Sequence, residues 1–429
     1  MTRTHTIITQ LAAAAALLGL AGCDGLLDVE TPSRVPAEVA EVPGNAGLLV
    51  TGAVADFECA FGAYVVLGGL IGDELIDATQ TADRFPYDRR DMAPSERRYS
   101  AFGCEALGVY TPLQTARASA SNAVRLLNGW TDAEVPNRQL LIAKSSAYAG
   151  YSLQLLGEGF CSVAVSTVNA DRSVTFGGEI SPDSVFRLAE ARFSDAITTV
   201  QALPVSAATT EILNMALVGR ARARQNLDDW TGAAADAALV PPTFVKTVTA
   251  SATTGRRENR VWSQNITSNA TSVGEPYRQM DRDGDPRVAL DSTLIVSVTG
   301  IRIWRASGKY PGAGSSFPLA TGTEAQLIIA EGEWQSGNYT AARDSLNVFR
   351  ARGGQAALTT INPDTLRAEI VEQRRRELFL DGHHLGDVIR YGVVLAPPVG
   401  TPYHGSGNYG SQVCLPLPDV EKLNNPNIP

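Results

Sequence analysis

NPDTLRAEIVEQRRRELFLDGHHLGDVIRY, residues Asn362–Tyr391, is the stretch whose reading decides the fold of this 429-residue chain. Asn362 before Pro363 marks a helix start, because asparagine caps a free N–H and proline sits where its own missing N–H costs nothing. Gly382 supplies a left-handed stop about five turns later. Leu366, Ile370 and Leu378 recur at helical spacing and define a buried stripe. Arg374 and Glu377 fall on the same stripe, where a plain amphipathic helix carries leucine. Charges on a core-facing row persist only when paired and hydrogen-bonded, so the pattern predicts an interior ion-pair network. The competing reading is a solvated face with Glu372 and Arg376 as an i,i+4 pair.

The segment RRRELFLDGHHLGDVIRYG resembles the C-terminal signature of the SusD/RagB family through Arg374, Arg375, Arg376, Glu377, Leu378, Gly382, Asp387, Arg390 and Gly392. It departs from that signature at Gln373, Asp381, His384 and Leu385-Gly386. The resemblance implies a lipid-anchored outer-membrane protein that captures nutrients, mostly glycans, for a SusC-like TonB-dependent transporter, with no catalytic activity. It also implies structural ion pairs at Arg374, Glu377, Asp387 and Arg390.

Composition sets bounds on function. The chain has 44 % hydrophobic residues and a net charge of −9, which argues against nucleic acid as a partner. Arg3 followed by the apolar run Ile7–Leu20 has the layout of a signal peptide and is too short to span a bilayer. Leu20-Ala21-Gly22-Cys23 resembles a bacterial lipobox, so residues 1–22 are read as signal peptide, Cys23 as the lipidation site and 23–43 as an extended tether. Multiple acyl chains on one cysteine anchor firmly. The remainder, 44–429, is read as a single SusD-like domain whose C-terminal signature covers 362–429.

Four cysteines remain, Cys59, Cys104, Cys161 and Cys414, and they allow three pairings. The pairing expected is Cys59–Cys104 within the N-terminal half and Cys161–Cys414 tying the tail to the body. No two of them have zinc-ligand spacing.

Helical patterns cover Leu107–Asn128, Arg138–Leu156 and Val185–Leu203, the last after a Ser181-Pro182 start, and a buried helix lies within Gly47–Ile76. Trp230-x-x-Ala233 and Tyr339-x-x-Ala342, with Phe193-x-x-Ala196 as a poorer third, have tetratricopeptide spacing. There an aromatic fills the groove left by one helix and alanine admits a close neighbour. The fold class expected is therefore mainly α: a tetratricopeptide-like solenoid of helix pairs. Irregular insertions interrupt it at about 73–105 and 241–317, the second with short strands such as Leu294–Val298 and Ile301–Trp304.

Long irregular segments in compact proteins often carry function. Sugar recognition needs aromatic faces for C–H groups and polar side chains for hydroxyls. Two sets fit: Phe85, Tyr87, Arg89 and Arg90, favoured because Pro86 and flanking charges oppose deep burial, and Trp262, Trp304 and Tyr310. Asp281, Asp283 and Asp285 suggest a calcium loop, but the EF-hand glycine and glutamate positions hold Pro286 and Ser292. The SusD/RagB resemblance implies an Asp-Pro-Arg turn with a local ion pair at Asp285-Pro286-Arg287, and no cofactor is expected, with calcium on the clustered carboxylates as the open alternative. His383 and His384 are adjacent on a helix and face different ways, which favours a structural turn over an acid–base set. No nucleophile elbow, phosphate loop or dinucleotide fingerprint occurs, which disfavours a hydrolase. The function expected is delivery of an oligosaccharide or other nutrient to a SusC-like transporter. The alternative is a tetratricopeptide scaffold that binds peptides in envelope assembly.

Overall fold

The computed structural model describes residues 37–101, 103 and 107–428. The signal peptide, Cys23 and Cys104 lie outside these residues. The last turn of the expected tether is helical, Ala37–Ala40.

Helix α1, Ala46–Ile71, is free of proline and rich in Ala, Gly, Leu and Val. From Phe61 to Ile71 every residue is buried, the mark of a core helix with no solvent face. Pro43–Ile71 is long and apolar enough to cross a bilayer by composition, yet 72 % of its most apolar window is buried inside the protein. Around it stand α2 (Tyr110–Gly129) and α3 (Arg138–Gly159), followed by α4 (Pro182–Gln201), α5 (Ala207–Asn226) and α6 (Trp230–Ala238). After the insertion, which holds the short α7 (Glu275–Arg282), come α8 (Gly322–Gln335), α9 (Tyr339–Arg352) and α10 (Pro363–Glu377). From α2 to α6 each helix packs on its predecessor, and α6 then packs on α8, which meets α9 and α10. This is the helix-pair solenoid expected.

The packing explains the residue choices. Ala196, Ala233 and Ala342 are fully buried, and Tyr339 packs beside Leu346 and Ile370. A Cβ added to Gly150 would lie 2.7 Å from the Phe193 ring, and one on Gly157 2.6 Å from Phe186. These glycines let α3 and α4 meet around large aromatics, which a methyl group would push apart.

Caps fall where the sequence places them. The Ser181 hydroxyl accepts from the Ser184 N–H, and the Asn362 side chain accepts from the Thr365 N–H at 3.0 Å. The end of α10 differs from expectation: the helix stops at Glu377, before Gly382. Leu380 takes a positive φ of 54°, and its N–H is accepted by the buried Glu74 carboxyl at 2.7 Å. Gly382 (φ 77°) instead crosses α1 closely, where an added Cβ would sit 3.3 Å from Val65.

The two insertions come together in space. Strand β1 (Leu75–Asp77) from the first pairs antiparallel with β7 (Thr271–Val273) from the second, Leu75 opposite Val273. The intervening short pairs are β2 (Val163–Ala164) with β5 (Glu179–Ile180), and β3 (Thr167–Val168) with β4 (Val174–Thr175). Strand β6 (Val245–Val248) pairs with β10 (Phe317–Thr321), and β8 (Asp291–Val296) forms a hairpin with β9 (Arg302–Arg305). The tail returns to the solenoid through a Cys161–Cys414 disulfide beside a parallel bridge between Phe160 and Leu415. Cys59 is also disulfide-bonded.

Candidate functional site

The signature helix builds a buried charge spine. Leu366, Ile370 and Arg374 are 0–2 % exposed on one stripe. The Arg374 Nε donates to Asp387 Oδ2 at 2.8 Å, and Asp387 lies on α11 (His384–Tyr391). Arg390 bridges Asp387 Oδ1 at 3.1 Å and Glu331 of α8 at 2.6 Å. Burial alone would raise the Asp387 carboxyl, but Arg374 and Arg390 outweigh it and hold the group at about 2.

Glu377 joins a second branch through Arg287 at 2.9 Å. Arg287 also holds Asp285 at 2.6 Å, and Asp285 accepts from Arg376 at 2.9 Å. The Asp-Pro-Arg turn thus locks the insertion onto the signature helix. The exposed-side pair Glu372–Arg376 also forms, at 3.4 Å with Glu372 39 % exposed, so the helix has both a buried and a solvated charged face.

The loop flank starts from Asp77, whose carboxylate accepts the Thr79 and Gln80 N–H groups at 3.1 and 2.7 Å and so sets the turn after β1. Asp88 Oδ2 accepts from the Asp77 N–H at 2.9 Å and the Tyr403 hydroxyl at 3.1 Å. Burial pushes the Asp88 carboxyl up to about 8. The one-turn helix Phe85–Asp88 then presents Phe85 beneath the Arg89 guanidinium, 5.1 Å from the ring centre. Arg89 donates to the Ser406 carbonyl at 3.2 Å, and Gln80 donates to the His404 carbonyl at 3.2 Å. Arg84 reaches Gln264 Oε1 at 3.0 Å and joins this turn to the π-helical turn Trp262–Thr267. Asn265 of that turn donates to the Trp304 carbonyl at 3.0 Å, and Arg278 stands 5.8 Å from the Trp304 ring centre.

Of the seven residues singled out for ligand contact, Phe85, Arg89, Trp262 and Trp304 are partly exposed around these junctions. The other three are buried. Tyr87 is fully buried, because Pro86 and Tyr87 turn inward to the core rather than outward as expected. Arg90 is 3 % exposed, bonds the Pro397 carbonyl and lies 4.8 Å from the Tyr409 ring centre. The single Tyr310 O–H lies between two acceptors, the Leu380 carbonyl at 2.9 Å and Asp381 Oδ1 at 3.0 Å, deep in the core. The sequence reading misses Gln80 and Arg84, polar neighbours of Phe85 without periodicity, and Gln264 and His404, which come from segments far away in the chain.

Asp281, Asp283 and Asp285 do not converge. Asp281 accepts from the Leu290 N–H, Asp283 from Gln279, and Asp285 serves the arginines. Among the described residues no group of three His, Cys, Asp or Glu is placed to hold a metal ion. His383 faces Glu324 at 3.2 Å and His384 faces Asp73 at 3.4 Å, both buried. The two rings therefore serve separate partners.

A concavity of 440 Å³ lies between residues 94–100 and α12 (Asp419–Asn424), and one of 370 Å³ lies along α2 and α12; none of Phe85, Arg89, Trp262 and Trp304 lines them. A platform of partly exposed rings among amides and guanidinium groups can stack on an apolar ring face and bond hydroxyls at its edge.

Residues 312–416 match the SusD family profile. In fold the chain is similar to the surface glycan-binding protein A of Bacteroides uniformis at 14 % identity, covering 90 % of this chain and 98 % of that one with a TM-score of 0.70. It is likewise similar to a SusD-like protein of Bacteroides fragilis (12 % identity, 90 % and 96 % covered, TM-score 0.70). A SusD homolog of Bacteroides thetaiotaomicron gives 13 % identity, 92 % and 98 % coverage and a TM-score of 0.65. No curated protein matches the chain in sequence.

Proposed function

From the SusD-family match over residues 312–416 and the SusD-like fold, we propose that the chain is a SusD/RagB-family, lipid-anchored outer-membrane protein, exposed at the cell exterior, that binds an oligosaccharide. It delivers this nutrient to a SusC-like TonB-dependent transporter and breaks no bond. The observation that carries the reading is the gathering of Phe85, Arg89, Trp262 and Gln264 onto one irregular flank through the Arg84–Gln264 bond.

Phe85 and Trp262 supply faces for sugar C–H groups, while Gln80, Gln264 and Arg89 supply hydroxyl partners. Each ring stacked on a sugar face gains about 25 cal/mol per Å² of apolar area removed from water. Capture without chemistry asks nothing more of the site. Cys23 carries the anchor in this reading, and the net charge of −9 disfavours a nucleic-acid partner.

The test is a glycan-array screen of the mature chain followed by titration calorimetry on the best binder. Trp262→Ala combined with Phe85→Ala is expected to weaken binding at least tenfold while the melting temperature holds. Unchanged affinity in a folded double variant would remove the flank from the reading. Mild-detergent extraction of outer membranes tests the partner: co-purification of a large barrel protein is expected, and its absence counts against delivery.

A further inference from the structure

A second groove, of 250 Å³, runs between α2, α4 and the β3–β4 hairpin. Its walls carry Arg117, Arg125 and Arg192 with Leu153, Leu188 and Val168, and no carboxylate lines it. In a chain of net charge −9, a groove of one sign needs an explanation. Arg117 and Arg125 have no carboxylate within ion-pair distance among the described residues. Their bonds go to Gln114 and the Ser166 carbonyl, and to Asn122. Arg192 has only Asp195, at 3.3 Å on the exposed side.

The described chain begins at the mouth of this groove. Glu38 is ion-paired with Arg172, in the turn of the same hairpin. Glu41 accepts from the Asn122 amide at 3.0 Å, and Asn122 itself lines the groove. The residues that precede Ala37 include Leu26-Leu27-Asp28-Val29-Glu30, where apolar and acidic side chains are interleaved. Seven residues, from Glu30 to Ala37, reach at most about 25 Å when extended, enough to enter a groove whose wall already touches Glu41.

We propose that the tether segment Leu26–Glu30 docks in this groove, setting Leu27 and Val29 against Leu153 and Leu188 and Asp28 and Glu30 against Arg125 and Arg192. With Cys23 only three residues before Leu26, docking brings the lipid anchor to this side of the body. The tether then fixes which side faces the membrane instead of merely limiting its distance. The docking itself rests on the groove and the segment, and does not depend on the glycan reading.

Hydrogen exchange by mass spectrometry on the full mature chain tests it. Amides of residues 24–36 are expected to exchange at least tenfold slower than in a synthetic peptide of the same sequence. D28N/E30Q, which alters only the segment, is expected to return them to peptide rates, as is R125E/R192E. Joining D28R/E30R to R125E/R192E is expected to restore protection. Peptide-like exchange in the unaltered chain, or protection that survives D28N/E30Q, overturns the proposal.

Discussion

The spine and the loop flank are both built from arginines, aromatics and carboxylates, yet they are organised in opposite ways. In the spine, Arg374 and Arg390 meet the Asp387 and Glu331 side chains away from water. On the flank, the partly exposed Arg89 bonds the Ser406 carbonyl and the exposed Asp91 carboxylate and covers the partly exposed Phe85 ring. The carboxyls register the difference: Asp387 is held at about 2, whereas burial pushes Asp88 up to about 8. Paired charges buried in the core make the frame. Groups on that frame that still reach solvent are the ones open to a ligand.

The strongest way to break this contrast is to remove the spine's central carboxylate. Asp387→Ala leaves two buried guanidinium groups short of a partner and is expected to destabilise by about 3–5 kcal/mol in urea unfolding. A loss below about 1 kcal/mol would mean that the spine is solvated like a surface pair.

Opposite pH slopes come next. The folded Asp387 binds its proton more weakly than the ordinary value of 3.8, so its stabilisation is present above that value and is lost as pH falls through about 2. Asp88 binds its proton more tightly than the ordinary 3.8. Its stabilisation is complete below that value and is lost as pH rises through about 8. Asp88→Asn is therefore expected to flatten the fall in melting temperature between pH 4 and 8, while Asp387→Asn flattens only the acid limb below 4.

Tyr310→Phe sharpens the boundary between frame and flank. It removes a buried hydroxyl whose one proton is shared between two acceptors and is expected to cost about 1–3 kcal/mol while ligand affinity stays unchanged. A drop in affinity with stability intact would return Tyr310 to the binding surface. The smallest expected stability effect is at Phe85→Ala alone, under about 1 kcal/mol, even though the same change weakens ligand binding severalfold in calorimetry.

Local patterns were legible because local physics fixes them. The Asn362 cap, the stripe of Leu366, Ile370 and Arg374, and the aromatic–alanine spacing at Tyr339 and Ala342 all need only the helix period to be read. Exposure in the irregular segments was less legible. Pro86 and its charged neighbours suggested an outward loop, but Asp77, Asp88 and Tyr403 hold that turn down from a segment some 315 residues away.

The sequence by itself determined that the chain is a solenoid of helix pairs closed by an arginine-rich signature helix. Capping, periodicity and the cost of burying an unpaired charge are conditions that neighbouring residues meet or fail together. Only the tertiary structure decided which loop side chains reach solvent, that β1 pairs with β7, and that Glu377 finds Arg287 rather than a partner on its own helix. Those outcomes depend on contacts between distant segments, and no local period encodes them.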